Sequence, residues 1–143
     1  MSQMSFDFDA LVAAPVAVTQ ATPRRDRGLR AYLSGCAAED AALRAYEARG
    51  AQLLERRWRG VGGEIDLILC EPKTYVFCEV KKAVSFDRAL ERIRQAQVQR
   101  IFTAASEYLG HTPEGQLASV RFDLVLVNGM GDLRLMENAF GHF

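Results

Sequence analysis

The chain has 143 residues, 18 Lys+Arg against 18 Asp+Glu, and is 49% hydrophobic and 25% charged. That balance describes one globular domain able to bury a core, and it excludes collagen-like, disordered and disulfide-scaffold chains. The longest weakly apolar run, residues 10–18, is interrupted by Pro15 and falls short of the ~20 residues of a spanning helix, while Asp7 and Asp9 before it exclude a secretory signal.

Residues 1–25 sustain neither a helical nor a strand period and predict a mobile leader, within which Phe6-Asp7-Phe8 is the one cluster suited to docking on a partner. The remainder, 26–143, is expected to form a single domain. Leu29, Tyr32, Leu33, Cys36, Leu43 and Tyr46 recur at helical spacing and predict a helix over 29–49 that Gly50 closes. A strand is expected over 51–58, followed by a flexible loop through Gly60, Gly62 and Gly63. Residues 65–70 and 75–80 are rich in β-formers and flank Glu71-Pro72-Lys73-Thr74, a turn signal, so they predict a hairpin. A second long helix follows over 88–109, with Leu90, Ile93, Ile101, Ala104, Ala105 and Tyr108 on one side and Gly110 at its end. Strands over 120–127 and 132–136, joined through Asn128-Gly129, complete the order helix, three strands, helix, two strands.

The hairpin brings chemistry together. If Cys70 lies opposite Tyr75, Asp66 faces Glu79 and Glu64 faces Lys81, all four on one face with Ile68 and Phe77; Ile65, Leu67, Val76, Cys78 and Val80 take the other. Carboxylates opposite one another repel unless a cation intervenes. Lys81 neutralises one charge, and a hard divalent ion such as Mg²⁺ would neutralise the rest. The structural alternative is an ion-pair ladder with Glu64–Lys81 as its rung. Glu39 lies on the apolar stripe of the first helix with Cys36, Leu43 and Tyr46, where a carboxylate is costly unless it meets a cation or reaches water. Gln97 lies in line with Leu90, Ile93, Ile101 and Ala104; taken alone it reads as a buried amide bonding to backbone.

Charge is unevenly distributed. Residues 24–59 hold nine arginines against five acids, and 79–100 hold six basic residues against three acids. Arg24, Arg25, Arg27, Arg56, Arg57, Arg59 and Lys82 are therefore candidates for phosphate contacts, with a solvated helix face as the plainer reading. Trp58, among them, suits either base stacking or a core. Three cysteines, Cys36, Cys70 and Cys78, lack CxxC spacing and suggest free thiols in the cytoplasm; with His111 and His142 they form no zinc pattern.

Gly35-x-x-Ala38-Glu39, Gly63-Glu64-Ile65-Asp66-Leu67-Ile68, Phe77-Cys78-Glu79-Val80-Lys81 and Arg121-Phe122-Asp123 resemble the YraN-like family of small bacterial proteins. That family is similar to the PD-(D/E)XK nucleases, including Holliday-junction resolvases. The resemblance implies an α/β, restriction-endonuclease-like αβββαβ core with a central mixed sheet flanked by helices. It further implies Asp66, Glu79 and the Val80 carbonyl as ligands of Mg²⁺ or Mn²⁺, Lys81 as the catalytic lysine, and Glu39 as a helix carboxylate near the metal. The expected function is nucleic-acid binding, with DNA as partner, and metal-dependent phosphodiester cleavage, in a homodimer by analogy with resolvases. Ala83 stands where members carry a basic residue and Gln97 where they carry a lysine, which favours the alternative of a binding module without turnover. A third reading is a protein–protein adaptor acting through the leader.

Overall fold

Proline is tolerated in the first turn of a helix, where its missing N–H has no intrahelical partner. In the computed structural model, which describes residues 23–140, helix α1 spans Pro23–Ala48. It starts earlier than residue 29 and takes in residues 23–25 of the expected leader; residues 1–22, with Phe6 and Phe8, lie outside the described residues. Two compact units are distinguished, Met1–Ser34 and Gly35–Phe143. In the first, the described residues form the opening turns of α1, where Arg27, Leu29 and Arg30 are exposed, so Leu29 does not join a buried face.

The second unit holds the sheet: β1 (Gln52–Arg59), β2 (Glu64–Glu71), β3 (Thr74–Lys82), β4 (Val120–Val127) and β5 (Leu133–Met136), in spatial order β1-β2-β3-β4-β5. Only the β3–β4 pair is parallel. That pair needs a crossover, which is supplied by helices α2 (Phe86–Glu91) and α3 (Gln95–Leu109) and a 3₁₀ turn at Gly115–Leu117. The result is a mixed sheet flanked by helices, as the restriction-endonuclease-like core requires. The single long helix expected over 88–109 is two. Ser85 caps α2 by accepting the Arg88 N–H at 3.1 Å, Arg92 at its C-terminal end donates from Nη1 to the Lys82 carbonyl of β3 at 2.7 Å, and Arg94 enters α3 in an extended conformation. Leu90, expected on the apolar side, is exposed.

Each face of the sheet has its own core. Ala38, Ala42 and Tyr46 of α1 cover Leu67, Leu69, Val76, Cys78, Val125 and Val127, the small alanines allowing close approach. On the other face Ala104, Ala105 and Leu109 of α3 cover Ile65, Ile68 and Phe77. Ile65 therefore lies on the face opposite to the one that simple alternation assigns it. Beneath Tyr46 the α1 face also contains a charged pair. Asp123, 0% exposed, accepts Arg121 Nε and Nη2 at 2.9 Å each, the Tyr46 hydroxyl at 2.7 Å and the Asn138 N–H at 3.0 Å. Burial above all holds the Tyr46 phenol far above its ordinary value, so it remains a donor.

The glycine loop between β1 and β2 is clasped rather than free. Glu107 of α3 accepts the Val61 N–H at 2.9 and 3.1 Å through its two oxygens, and Gly62 N–H at 3.4 Å. A Cβ at Gly60 would come within 2.3 Å of Glu107 Oε1, and one at Gly62 within 2.5 Å of Thr103 Cγ2, so glycine is what allows the loop to lie against α3. Glu107→Ala is expected to lower stability by about 0.5–1.5 kcal/mol, the net worth of bonds whose exposed donors water takes over. It should also speed amide exchange at Val61 and Gly62 while leaving β4 protected. Unchanged exchange there would show that the loop is held by packing alone.

Candidate active site

The hairpin register holds as expected over Leu67↔Cys78, Ile68↔Phe77, Leu69↔Val76, Cys70↔Tyr75 and Glu71↔Thr74, and there it stops. β3 continues in register with β4 as far as Lys82↔Val127, so β2 peels away from β3 beyond Leu67. The cause lies in β1. Between the pairs Arg56↔Leu67 and Trp58↔Ile65 both strands change face. Arg57, between them, takes a left-handed conformation with φ 55, which a non-glycine residue adopts only at a cost of order 1–3 kcal/mol. Its neighbour across the ladder is Asp66. Freed from strict alternation, Asp66 takes over the ladder's work and accepts the Val80 N–H through Oδ2 at 2.8 Å.

The opening between β2 and β3 contains Asp66, Glu79, Lys81 and, from the first turn of α3, Gln97. Glu79 is 6% exposed. Its Oε2 takes Lys81 Nζ at 3.0 Å and Gln97 Nε2 at 2.5 Å. Gln97 thus reaches a carboxylate rather than the backbone that its position alone suggested. Burial raises the Glu79 carboxyl and the Lys81 ammonium opposes that shift. Asp66 is pushed up to about 8, first by burial and then by the Glu79 charge, against the pull of the Val80 N–H. The Glu79 charge is close enough to disfavour ionisation of Asp66, so Asp66 is the member of the pair that holds a proton near neutral pH.

This shift has a sign. Folded Asp66 keeps its proton until about pH 8, whereas an unfolded aspartate releases it near pH ~4. Its contribution to stability is complete below the lower value, is lost as pH rises to the upper one, and is flat above. Metal-free wild type is therefore expected to lose stability relative to Asp66→Asn between about pH 5 and 8, as urea midpoints would show. Parallel curves would place the proton elsewhere.

The other expected residues divide. Glu39 is 7% exposed on the core stripe, as expected, and is paired with Arg57 Nε at 2.8 Å and Arg56 Nε at 3.4 Å. Its charge reaches Asp66, adding to the upward push there, but it forms no bond with Glu79 or Lys81. Glu64 does not face Lys81. It is exposed and lies 3.7 Å from Arg59, because the face change at Asp66 turns it outward, so the Glu64–Lys81 rung is absent. Arg56 also binds Asp40 at 2.7 Å and Arg57 the Cys36 Sγ at 3.1 Å, so both guanidiniums are engaged on α1. Arg59 is 77% exposed, Arg27 is exposed, and Lys82 is half-buried; the side chains of Arg24 and Arg25 lie outside the described residues. Trp58 packs edge-on to Tyr108 at 5.4 Å and belongs to the core beneath α3. The described thiols are free. Sequence reasoning passed over Arg88, Arg92 and Arg94, which line a groove with Lys81. Ser85, a good helix cap, was the signal that a helix begins at Phe86 and carries Arg88 on its first turn.

Among the described residues no three His, Cys, Asp or Glu side chains form a metal-holding group. The donor set on hand is Asp66, Glu79 and the Val80 carbonyl. Such hard oxygens fit Mg²⁺ or Mn²⁺, ions commonly held by one or two carboxylates with water and substrate filling the rest. Two carboxyls buried this close carry more negative charge than the Lys81 ammonium offsets, and a cation would supply the balance.

Comparison with known proteins gives one consistent result. Residues 38–127 match the model of the family described as "Uncharacterised protein family UPF0102". The chain is 50% identical over 118 residues to a UPF0102 protein of Ruegeria sp. (strain TM1040), covering 82% of this chain and 95% of the relative. It is 51% identical over 116 residues to one of Ruegeria pomeroyi, covering 81% and 94%, and 46% identical over 118 residues to one of Dinoroseobacter shibae, covering 82% and 88%. The matched segment runs from Ala38 through the Asp66–Glu79–Lys81 cluster to the end of β4, and on that extent and those identities the chain belongs to the UPF0102 family, the YraN-like family that its motifs resemble.

Proposed function

We propose that this protein binds DNA in the cytoplasm and hydrolyses phosphodiester bonds at the Asp66–Glu79–Lys81 site with the help of a divalent cation. One observation carries this reading: two largely buried carboxyl groups, Asp66 and Glu79, brought together where β2 and β3 diverge, with an ammonium 3.0 Å from a Glu79 oxygen. Asp66, Glu79 and the Val80 carbonyl would hold Mg²⁺ or Mn²⁺. The bound cation would polarise a phosphate oxygen and lower the pKa of a coordinated water. Lys81, oriented by Glu79, holds its ammonium where charge gathers on the phosphate. Gln97 fixes Glu79 from the α3 side, and with it the carboxylate that orients Lys81. Glu39 holds the Arg57 guanidinium against α1, which ties down the strained β1 segment. No helix among the described residues is long and apolar enough to cross a membrane.

The test is isothermal titration of Mn²⁺ into wild type and Asp66→Ala, beside cleavage of branched, single-stranded and duplex DNA. Binding that Asp66→Ala abolishes, together with Mn²⁺-stimulated cleavage, is the expected result. Equal Mn²⁺ heats for the two proteins would dismiss the metal assignment. Salt-sensitive DNA binding that survives Asp66→Asn without any cleavage would instead indicate the non-catalytic module, the reading favoured by the Gln97 bond where family members carry lysine.

A further inference from the structure

Building on the phosphodiesterase reading above, we propose that the DNA strand entering the site lies in the groove between the end of β3 and the broken α2–α3 helix, gripped at its phosphates by Arg88, Arg92 and Arg94 without reading base identity. The groove has a volume of 630 Å³, and Lys81 forms part of its wall while also contacting Glu79, so one side chain joins the groove to the carboxyl pair. Four cations line it against one acid, Glu91, on a chain whose formal net charge is zero. Arg88, Arg92 and Arg94 are exposed, and among the described residues none of them forms an ion pair. The β1 cations are differently placed: Arg56 and Arg57 are paired with Glu39, and Arg59 lies near Glu64.

The helix break makes this arrangement. On a continuous helix Arg88 and Arg92, four residues apart, would share a face, but Arg94 would lie about 160° around the axis from Arg92. The interruption instead gathers them, with Arg92 tied to the Lys82 carbonyl. Arg94 stands at the entry of α3, whose first turn contains no acid and no side-chain cap, so the positive end of that helix adds to the groove's potential. The remaining lining, Ala83 and Val84, offers sugars a small apolar surface and base edges no side-chain hydrogen bond. Phosphate contacts of this kind set position and are blind to sequence.

The experiment measures binding of labelled single-stranded and duplex DNA by anisotropy, in EDTA, across about 50 to 200 mM NaCl, with the full chain. Each lost phosphate contact lowers the log–log salt slope by about 0.9 on duplex or 0.7 on single strand, so Arg88→Ala/Arg94→Ala should lower it by about 1.8 or 1.4. Over that salt range the affinity advantage of wild type over the variant should shrink about tenfold on duplex. Arg88→Lys/Arg94→Lys should restore the slope, and two unrelated sequences should bind wild type equally. An unchanged slope in the alanine variant, with wild type binding and cleaving DNA, would overturn the groove alone. An equal drop in Arg59→Ala would move the path to β1. Failure of wild type to bind either DNA at the lowest salt would overturn both the groove and the reading on which it rests.

Discussion

Lys81→Ala is expected to cut metal-stimulated DNA cleavage by about 100-fold or more, the usual cost of removing one preorganised donor from developing phosphate charge. The side chain is 18% exposed and its Nζ lies 3.0 Å from Glu79 Oε2, so the ammonium is already oriented before substrate arrives. Without it the raised Glu79 carboxyl loses the charge that opposes burial, and the pair with Asp66 becomes harder to ionise. Two effects therefore act in one direction: less stabilisation of the transition state and weaker cation binding near neutral pH. Lys81→Arg separates them. The longer, planar guanidinium restores the charge beside Glu79 but not the position of the donor. Mn²⁺ affinity should recover in this variant, while the cleavage rate should not. Mutant and wild-type rates that agree within a fewfold would remove Lys81 from the chemistry.

The largest effect on stability is expected at a position remote from that chemistry. Arg121→Ala should destabilise the protein by about 3–5 kcal/mol, the typical cost of orphaning a buried charge, against a total that for a domain is about 5–15 kcal/mol. Asp123 would keep the Tyr46 hydroxyl and the Asn138 N–H, but would lose both guanidinium bonds in a site with no solvent access. Glu71 would lose a partner in the same step, since Arg121 Nη1 contacts its Oε1 at 2.9 Å and Arg49 Nε its Oε2 at 2.9 Å. Arg49 also binds Glu137, which extends the network to the segment after β5. Adding Asp123→Asn to the Arg121→Ala background should recover part of the loss, because a neutral amide needs no counter-charge. Urea unfolding measures both. Among molecules that remain folded, Mn²⁺ affinity should be unchanged, since this pair lies on the α1 face and the carboxyl pair lies in the gap between β2 and β3. A loss below about 1 kcal/mol would mean that the network relaxes around the gap.

Arg121 and Asp123 show why resemblance to a motif does not reveal a residue's role. The two were recognised in the same string of motifs as Asp66 and Glu79, yet parallel pairing of Cys78 with Asp123 directs that carboxylate beneath Tyr46. There it anchors the scaffold. Glu39 illustrates the converse. Its place on an apolar stripe predicted a buried carboxylate needing a cation, and the cation is the pair Arg56 and Arg57, residues that composition alone had assigned to phosphate.

Local signals in the chain determined the order of the strands, the turn at Pro72-Lys73 and the register from Leu67 to Thr74, which leads Asp66 toward Glu79 before the ladder ends, because hairpin pairing follows from turn length and a period of two. Only the tertiary structure decided where that period fails. The left-handed Arg57 is held by Glu39 on a helix distant in sequence, and its effect is to turn Ile65 to the other face, swing Glu64 outward and part β2 from β3. The break before Arg94 is likewise absent from the apolar spacing, which runs through it unbroken, whereas in the structure the end of α2 is tied back to β3 by Arg92 on the Lys82 carbonyl. Periodicity records which residues want to be buried; it holds no information about which distant charge will bend the strand that carries them.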